Sequence, residues 1–190
     1  MRPFVIVVDV QGDFMRADGA LPVPGADALI APMQAWLSTL TPADTAGVLF
    51  TFDTHFAETY ADTAEAAQFP LHCVKGRAGW QGVLDPAAID PAVPLYRLEK
   101  GVFDMWAEAD VTIEDTRRPE RAGVPRERFF AVLKDQGVTE VTVIGVAADF
   151  CVRWAVAGLL ARGFRVDVPP ALTRGIARQI AEVAAAGYAG

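Results

Sequence analysis

Cys151 is the residue of this sequence with the clearest capacity for chemistry, because it follows a β-branched run and opens an apolar helix. Residues 141–146 predict a buried strand, and residues 151–162 predict a helix with the cysteine in its first turn. Open α/β sheets bind ligands at the carboxyl ends of their parallel strands. The N–H groups of a helix N-terminus favour a thiolate, so we expect a lowered thiol pKa and a nucleophile here. A small apolar residue packed in a core is the alternative interpretation.

Polar residues also follow the other apolar runs of the chain. Residues 4–8 are followed by Asp9, residues 47–52 by Asp53 and His55, and residues 93–98 by Glu99 and Lys100. A parallel sheet gathers such ends on one edge, so the sequence predicts a site there. A buried ion pair without chemistry is the alternative for Asp9 and Lys100.

Both histidines of the chain, His55 and His72, lie close in sequence to Asp53. Asp53 and His55 are two residues apart, so their side chains point to the same side of an extended segment. Carboxylate and imidazole together suit a borderline divalent cation such as zinc, iron or manganese. Two histidines that merely form hydrogen bonds in a loop are the interpretation without a metal.

Five motifs in the same order make the sequence similar to the isochorismatase-like cysteine hydrolases, and within them to the nicotinamidase branch. They are Asp9-x-Gln-x-Asp-Phe14, Asp53-x-His55, Phe69-Pro-x-His-Cys-Val-x-Gly76, Lys100-Gly101 and Gly145-Val-Ala-x-Asp-x-Cys-Val152. The resemblance covers nearly the whole chain. It implies a three-layer, doubly wound α/β fold with a mostly parallel central sheet, as one domain over residues 1–190.

The resemblance implies a catalytic triad of Asp9, Lys100 and Cys151. A thiolate can attack an amide once a base removes its proton, and Asp9 can then return that proton to departing ammonia. Lys100 would keep Asp9 ionised and favour the thiolate. The backbone N–H groups of Ala147 and Cys151 would form the oxyanion hole, with a cis peptide bond before Ala147.

The resemblance also implies one divalent ion beside the cysteine, zinc in the first place, with Asp53, His55 and His72 among its ligands. Many members supply another histidine at the position of Ala61, which leaves the fourth ligand open. Some members use a glutamate seven residues before the last histidine, and Glu65 stands there. The predicted ligand set is therefore Asp53, His55, Glu65 and His72, and Glu58 is the fallback.

Substrate contacts are predicted for Phe14 and Phe69, which match positions where nicotinamidases place aromatic rings, although the second is often tryptophan in them. Phe103 is the third predicted contact, and Trp106 could extend the apolar wall. The metal motif favours hydrolysis of nicotinamide to nicotinate and ammonia through a thioester. Another small amide, N-carbamoyl or maleamate-like, is the alternative, as are an isochorismatase-type hydrolase and a non-catalytic metal-binding or interaction protein.

Composition limits the partners and the compartment. The net charge is −7, with 24 acidic and 17 basic residues, which argues against nucleic acid because phosphate binding needs a basic face. No apolar run is long enough to span a membrane. Two cysteines do not make a disulfide framework, so we expect a cytoplasmic protein. The resemblance implies a small-molecule amide as its substrate. Whether it forms a homo-oligomer stays open.

Residues 104–125 form a stretch longer than the usual connection after the lysine of the family. Loops of that length in compact domains often have a function, so the stretch could cover the pocket. A simple surface excursion is the alternative.

Overall fold

The computed structural model describes residues 2–188 and has a central sheet between two layers of helices. Met1, Ala189 and Gly190, which the predicted domain includes, lie outside the described residues, and the single domain over 1–190 stays a prediction. The strands are β1 (Phe4–Val8), β2 (Val48–Asp53), β3 (Leu95–Lys100), β4 (Thr112–Asp115), β5 (Val124–Pro125), β6 (Glu140–Val146), β7 (Arg165–Asp167) and β8 (Thr173–Arg174). The helices are α1 (Gly12–Met15), α2 (Ile30–Leu37), α3 (Arg126–Asp135), α4 (Cys151–Ala161) and α5 (Ile180–Ala185).

The strand order is β5-β4-β3-β2-β1-β6-β7, and β8 pairs with β6. The pairs that join β3, β2, β1, β6 and β7, and the pair of β6 with β8, are parallel. Only the pairs β3–β4 and β4–β5, at one edge of the described sheet, are antiparallel. The predicted α/β fold with a mostly parallel sheet is confirmed.

Alternate residues of β1 face two separate cores, which is why its five residues are all apolar and buried. Phe4, Ile6 and Val8 pack with the apolar residues of α3, α4 and α5. Val5 and Val7 pack with those of α1 and α2. The two cores make the three layers of the fold.

The site edge of the sheet lies where the chain order reverses beside β1. From β1 the sheet continues to β2 on one side and to β6 on the other, and such a switch point is where doubly wound sheets bind ligands. Gly145 permits the close approach of β6 there, because a Cβ atom at this position would lie 2.1 Å from the Val8 carbonyl oxygen. Its φ of +121° is also one that other residues rarely adopt.

Residues 104–125 contain two short strands of the sheet. β4 and β5 lie in this stretch and extend the sheet from β3, with Leu98 opposite Ile113. The short β4 alternates exposed and buried residues, as expected for an edge strand with one face on the core. Whether the rest of this stretch covers the pocket stays a prediction.

Among the helices of residues 2–188, we find none with the length and apolar character that crossing a membrane would require.

Candidate active site

Three residues from three elements meet at the carboxyl edge of the sheet. Asp9 follows β1, Lys100 ends β3 and Cys151 begins α4. The Lys100 Nζ atom lies 2.8 Å from Asp9 Oδ2 and 3.7 Å from Cys151 Sγ. All three residues are buried, and none is more than 4% exposed. The structure thus brings the predicted acid, ammonium and thiol into contact.

The turn after β1 directs the Asp9 carboxylate into this group. Asp9 has a φ of +48°, and its carbonyl oxygen accepts a hydrogen bond from the Gln11 N–H at 2.8 Å. Thr51 Oγ1 donates to Asp9 Oδ1 at 2.6 Å. Thr51 is absent from the sequence predictions. The signal that could find it is a hydroxyl at a buried position of an otherwise apolar strand.

The electrostatics of the buried thiol differ from the sequence expectation. Burial and the Asp9 carboxylate raise the pKa of Cys151 well above its usual range, although Lys100 acts in the opposite direction. Burial alone would lower the pKa of Lys100, but the carboxylates of Asp53 and Asp9 outweigh it and raise that pKa. The expectation of a thiol pKa lowered by the helix N-terminus is wrong, because desolvation and the nearby carboxylates dominate. Cys151 is therefore a thiol at rest and needs a base.

A second buried group adjoins the first and contains Asp53, His55, Glu65 and His72. One donor atom from each of these residues lies within 4.8 Å of the other three. Asp53 ends β2, His55 follows it, and Glu65 begins a short 3₁₀ turn. The four predicted metal ligands are thus brought together, whereas the fallback Glu58 is exposed and outside the group.

The two histidines present nitrogen atoms to the carboxylates. His55 Nε2 lies 3.1 Å from Asp53 Oδ2 and 3.3 Å from Glu65 Oε2, and His72 Nε2 lies 3.0 Å from Asp53 Oδ2. His72 Nδ1 is 2.8 Å from the Pro70 carbonyl oxygen, which can only accept, so Nδ1 carries a proton. In the neutral His72 ring, Nε2 then carries a lone pair, and this lone pair faces a carboxylate oxygen. A proton or a metal cation must lie between two such acceptors.

The residues of this group fit a divalent ion. Glu65 Oε2 is buried, and among the described residues it has no hydrogen-bond donor other than the His55 ring, whose Nε2 lies 3.3 Å away. Asp9, Asp53 and Glu65 are buried carboxylates, and Lys100 is the buried ammonium that contacts two of them. With both histidines neutral, two negative charges are left over, and burial of uncompensated charge is costly. Two imidazoles and two carboxylates suit zinc, iron or manganese.

The pKa directions agree that this group attracts positive charge. Burial lowers the pKa of His55, but the carboxylates of Asp53 and Glu65 raise it to about 9. Burial raises the pKa of Asp53, but Lys100 and the two histidines lower it below the usual range. Asp53 joins the two groups, because its Oδ1 lies 3.3 Å from Lys100 Nζ while its Oδ2 faces both histidines.

A cluster of partly buried rings is formed by Phe69, Phe103 and Phe150. The ring centroids of Phe69 and Phe103 are 5.3 Å apart, and Phe150 lies 5.5 Å from each. Phe14 is buried and packs against His72, with centroids 5.3 Å apart. Phe150 is absent from the predicted contacts. Its place directly before Cys151 is the signal that could find it.

Trp106 does not belong to this cluster. Its ring packs against Phe130 and lies under the Arg162 guanidinium, whose Cζ is 3.7 Å from the ring centroid. Its Nε1 donates to the Ala155 carbonyl oxygen at 3.3 Å. The extension of the wall to Trp106 is therefore wrong, because the indole packs between α3 and α4.

The turn between β6 and α4 carries the two predicted oxyanion donors. The Val146–Ala147 peptide bond is cis, as the resemblance implies. Ala147 and Cys151 are both buried at this turn. The role of their N–H groups stays a prediction.

Comparison with known proteins gives consistent matches. Residues 3–185 match the family model of the isochorismatase domain. The nicotinamidase/pyrazinamidase of Mycobacterium tuberculosis is 30% identical over 177 residues, which cover 90% of this chain and 86% of that protein. The nicotinamidase of Acinetobacter baylyi is 31% identical over 166 residues, covering 79% and 71%. The pyrazinamidase of Pyrococcus horikoshii, solved in complex with zinc, superposes with a TM-score of 0.71 at 23% identity, over 99% of this chain and 94% of that one.

Proposed function

The chain belongs to the isochorismatase domain family, and from this premise we propose that it is a metal-assisted cysteine amidohydrolase that converts nicotinamide to nicotinate and ammonia. The observation that carries the proposal is one continuous buried group, in which a thiol, an acid and an ammonium share Asp53 with a set of metal ligands. The curated relatives are named for nicotinamidase and pyrazinamidase activity, which supports an aromatic carboxamide as substrate.

In the proposed reaction Cys151 is the nucleophile and Asp9 moves the proton. The thiol proton passes to the Asp9 carboxylate while sulfur bonds to the carboxamide carbon. The C–N bond then breaks, and Asp9 gives its proton to the nitrogen, which leaves as ammonia. Water attacks the remaining thioester and transfers a proton to Asp9. When the C–S bond breaks, that proton returns to sulfur and the carboxylic acid is released.

Lys100 and the turn before α4 would stabilise the charges of this reaction. The Lys100 ammonium contacts both Asp9 and Cys151, so it favours the charged forms of both. The raised pKa of the resting thiol fits proton transfer during attack rather than a standing thiolate. The N–H groups of Ala147 and Cys151 would bind the oxyanion, and one such donor is typically worth about 10²–10³ in rate.

The second group and the ring cluster would recognise the substrate. A divalent ion held by Asp53, His55, Glu65 and His72 would supply a Lewis-acidic contact for a ring nitrogen. The phenylalanine cluster would hold the plane of the ring and exclude water, which places the carboxamide carbon against the thiol.

Ammonia release from a panel of amides tests the proposal. The panel contains nicotinamide, pyrazinamide, benzamide and an acyclic N-carbamoyl compound, and Cys151→Ala is the control enzyme. We expect both ring-nitrogen substrates to be cleaved far faster than benzamide, which fits the ring cluster but has no ring nitrogen.

Each of the other outcomes would contradict one part of the proposal. Benzamide cleaved as well as nicotinamide would contradict the ring-nitrogen contact. Cleavage of the acyclic amide alone would replace nicotinamide with an N-carbamoyl or maleamate-like substrate. Ordinary turnover by Cys151→Ala would overturn the cysteine mechanism.

A further inference from the structure

Gln11 is fully buried, and the proposed reaction makes no use of its side chain. Its Nε2 donates to the Asp53 carbonyl oxygen at 2.8 Å and to the Trp80 carbonyl oxygen at 3.0 Å. Its Oε1 accepts from the Asp53 N–H at 2.8 Å. Two of these three hydrogen bonds therefore hold the backbone of a single residue, Asp53.

These bonds replace a strand that is missing beside Asp53. The pairing of β1 with β2 ends at Val8 and Thr51, because the chain turns away at Asp9. Asp53 lies two residues further along β2, where its other side is still paired with Lys100 of β3. The Gln11 side-chain amide supplies one donor and one acceptor on the open side, as a neighbouring strand would. Without it, the Asp53 N–H and C=O would be buried without partners.

Gln11 also belongs to the turn that carries the proposed base. Its own N–H donates to the Asp9 carbonyl oxygen at 2.8 Å. One residue thus joins the backbone of Asp9 to the backbone of Asp53. The Asp53 carboxylate in turn contacts Lys100 through one oxygen and both histidines through the other.

We propose that Gln11 is a positioning residue. It extends the hydrogen bonding of the sheet to Asp53 and so directs the Asp53 carboxylate at both Lys100 and the two histidines. It touches none of the reacting atoms and acts through Asp53. This proposal rests on the proposed function, because it requires the metal. Displacement of Asp53 would first weaken metal binding. Partners of metal ligands typically contribute about 10–100-fold to metal affinity.

Two substitutions at Gln11 and one matched control test this role. Gln11→Met keeps the length of the side chain and removes all three bonds. Gln11→Glu keeps an acceptor for the Asp53 N–H but turns an oxygen towards two carbonyl groups. Gln34→Met is the control, because Gln34 makes the same reciprocal pair with the Asp85 backbone, at 3.2 Å and 2.7 Å, on the exposed surface.

The readouts are zinc affinity, measured by competition with a chromophoric chelator, and amide hydrogen exchange at Asp53. We expect zinc dissociation constants about 10–100-fold higher in both Gln11 variants, and faster exchange at the Asp53 amide in Gln11→Met, which removes its acceptor. Gln34→Met should leave both quantities unchanged. A merely structural role would lower the melting temperature and leave the zinc affinity of the folded protein intact.

Unchanged zinc affinity in folded Gln11→Met would overturn the proposal. If Gln11→Met does not fold, unchanged zinc affinity in Gln11→Glu would overturn it. A wild-type chain that binds no zinc would instead contradict the proposed metal centre. The role of Gln11 would then be decided by the Asp53 amide. Faster exchange in Gln11→Met but not in Gln34→Met would support the role, and equal exchange would overturn it.

Discussion

At the scale of single residues, the site depends on a few buried charges that compensate one another. Lys100 contacts the carboxylates of both Asp9 and Asp53 in a region without solvent. Such a group contributes little net stability to the fold, because desolvation of the charges offsets much of their attraction. Removal of one partner, however, leaves a buried charge without compensation. Substitutions here therefore affect rate and stability together, and the two must be measured separately.

The triad variants should separate these effects. Cys151→Ala should abolish amide hydrolysis and leave folding intact, because it removes a neutral thiol. Asp9→Asn should be nearly as severe, since an amide cannot accept the thiol proton. Lys100→Ala should leave a residual rate but destabilise the fold by about 3–5 kcal/mol, because two carboxylates lose their partner. Ammonia release and urea unfolding measure the two quantities.

Lys75→Ala is the matched control for Lys100→Ala. Lys75 forms an ion pair of 2.6 Å with Glu99 but is exposed, so its loss should cost only about 0–1 kcal/mol. If Lys100→Ala were no more destabilising than Lys75→Ala, the account of Lys100 as a buried counter-charge would be wrong.

Phe69→Ala should weaken substrate recognition without loss of the nucleophile. The ring contacts both Phe103 and Phe150, and its truncation should remove roughly 1–3 kcal/mol of apolar contact. We expect a ten- to hundredfold loss of kcat/KM for nicotinamide, roughly in line with that contact energy. Phe56→Ala is the control, because Phe56 is 52% exposed. Equal kinetics of the two variants would exclude Phe69 from the substrate site.

At the scale of elements, Asp149 ties the turn before α4 to the segment before α5. Its carboxylate accepts hydrogen bonds from the N–H groups of Ile176, Ala177 and Arg178 at 2.8–3.0 Å. Burial raises the pKa of Asp149, but these three amides outweigh it and the pKa is lowered. The turn that carries Cys151 is therefore held by a charged side chain two residues before the nucleophile.

Asp149→Asn should lower the stability of the protein in a pH-dependent way. Hydrogen bonds to a charged group are worth about 1.5–3 kcal/mol, which we expect to be lost at pH 7. Because the folded pKa is depressed, the stabilisation is present above the ordinary carboxyl pKa of about 3.9 and disappears as the pH falls through the folded value. Urea unfolding of both proteins from pH 7 to pH 3 should show the difference between the two curves begin to shrink below about pH 4. A difference that did not change with pH would rule out this charge as the cause.

The elements that carry the site could be predicted from the sequence because each is marked by a strong pattern. β1 is a buried apolar run, and the predicted and observed bounds agree. α4 begins at Cys151, as the end of the β-branched run indicates. β4 could not be predicted, because its four residues include three polar ones and its pairing with β3 is a long-range contact.

The same contrast holds within the site. The metal ligands are chemically distinctive, so Asp53, His55, Glu65 and His72 could be chosen from the sequence and do converge. The supporting residues Thr51 and Gln11 are common residue types whose roles follow from tertiary contacts alone. The pKa of the Cys151 thiol is also predicted wrongly from the sequence. Its burial depends on the assembled fold rather than on the helix that follows Cys151.

At the scale of the whole molecule, residues 54–73 differ from the central sheet, because this segment carries three of the four proposed metal ligands and little regular secondary structure. Residues 54–73 contain 3₁₀ turns at Tyr60–Asp62 and Glu65–Ala67 but no α-helix or multi-residue strand. Phe56 and Leu71, which are among the most exposed large apolar residues described, both lie in this segment. Its inward contacts include His55, Glu65 and His72, so its order should depend on what those residues bind.

Zinc should therefore protect this segment and raise the melting temperature. An ion at about 100 times its dissociation constant that binds only the folded state adds about 2.7 kcal/mol, roughly 5–10 °C for a domain of this size. Chymotrypsin should cut near Phe56 and Tyr60 faster after treatment with a chelator, whereas the buried sites at Phe4 in β1 and Leu98 in β3 should stay protected. Cys151→Ala should keep the zinc response and His72→Ala should lose it, because only the second substitution removes a ligand from the group. Cleavage that is equally fast with and without zinc in the wild-type chain would show that the segment is ordered by its own packing and not by a metal.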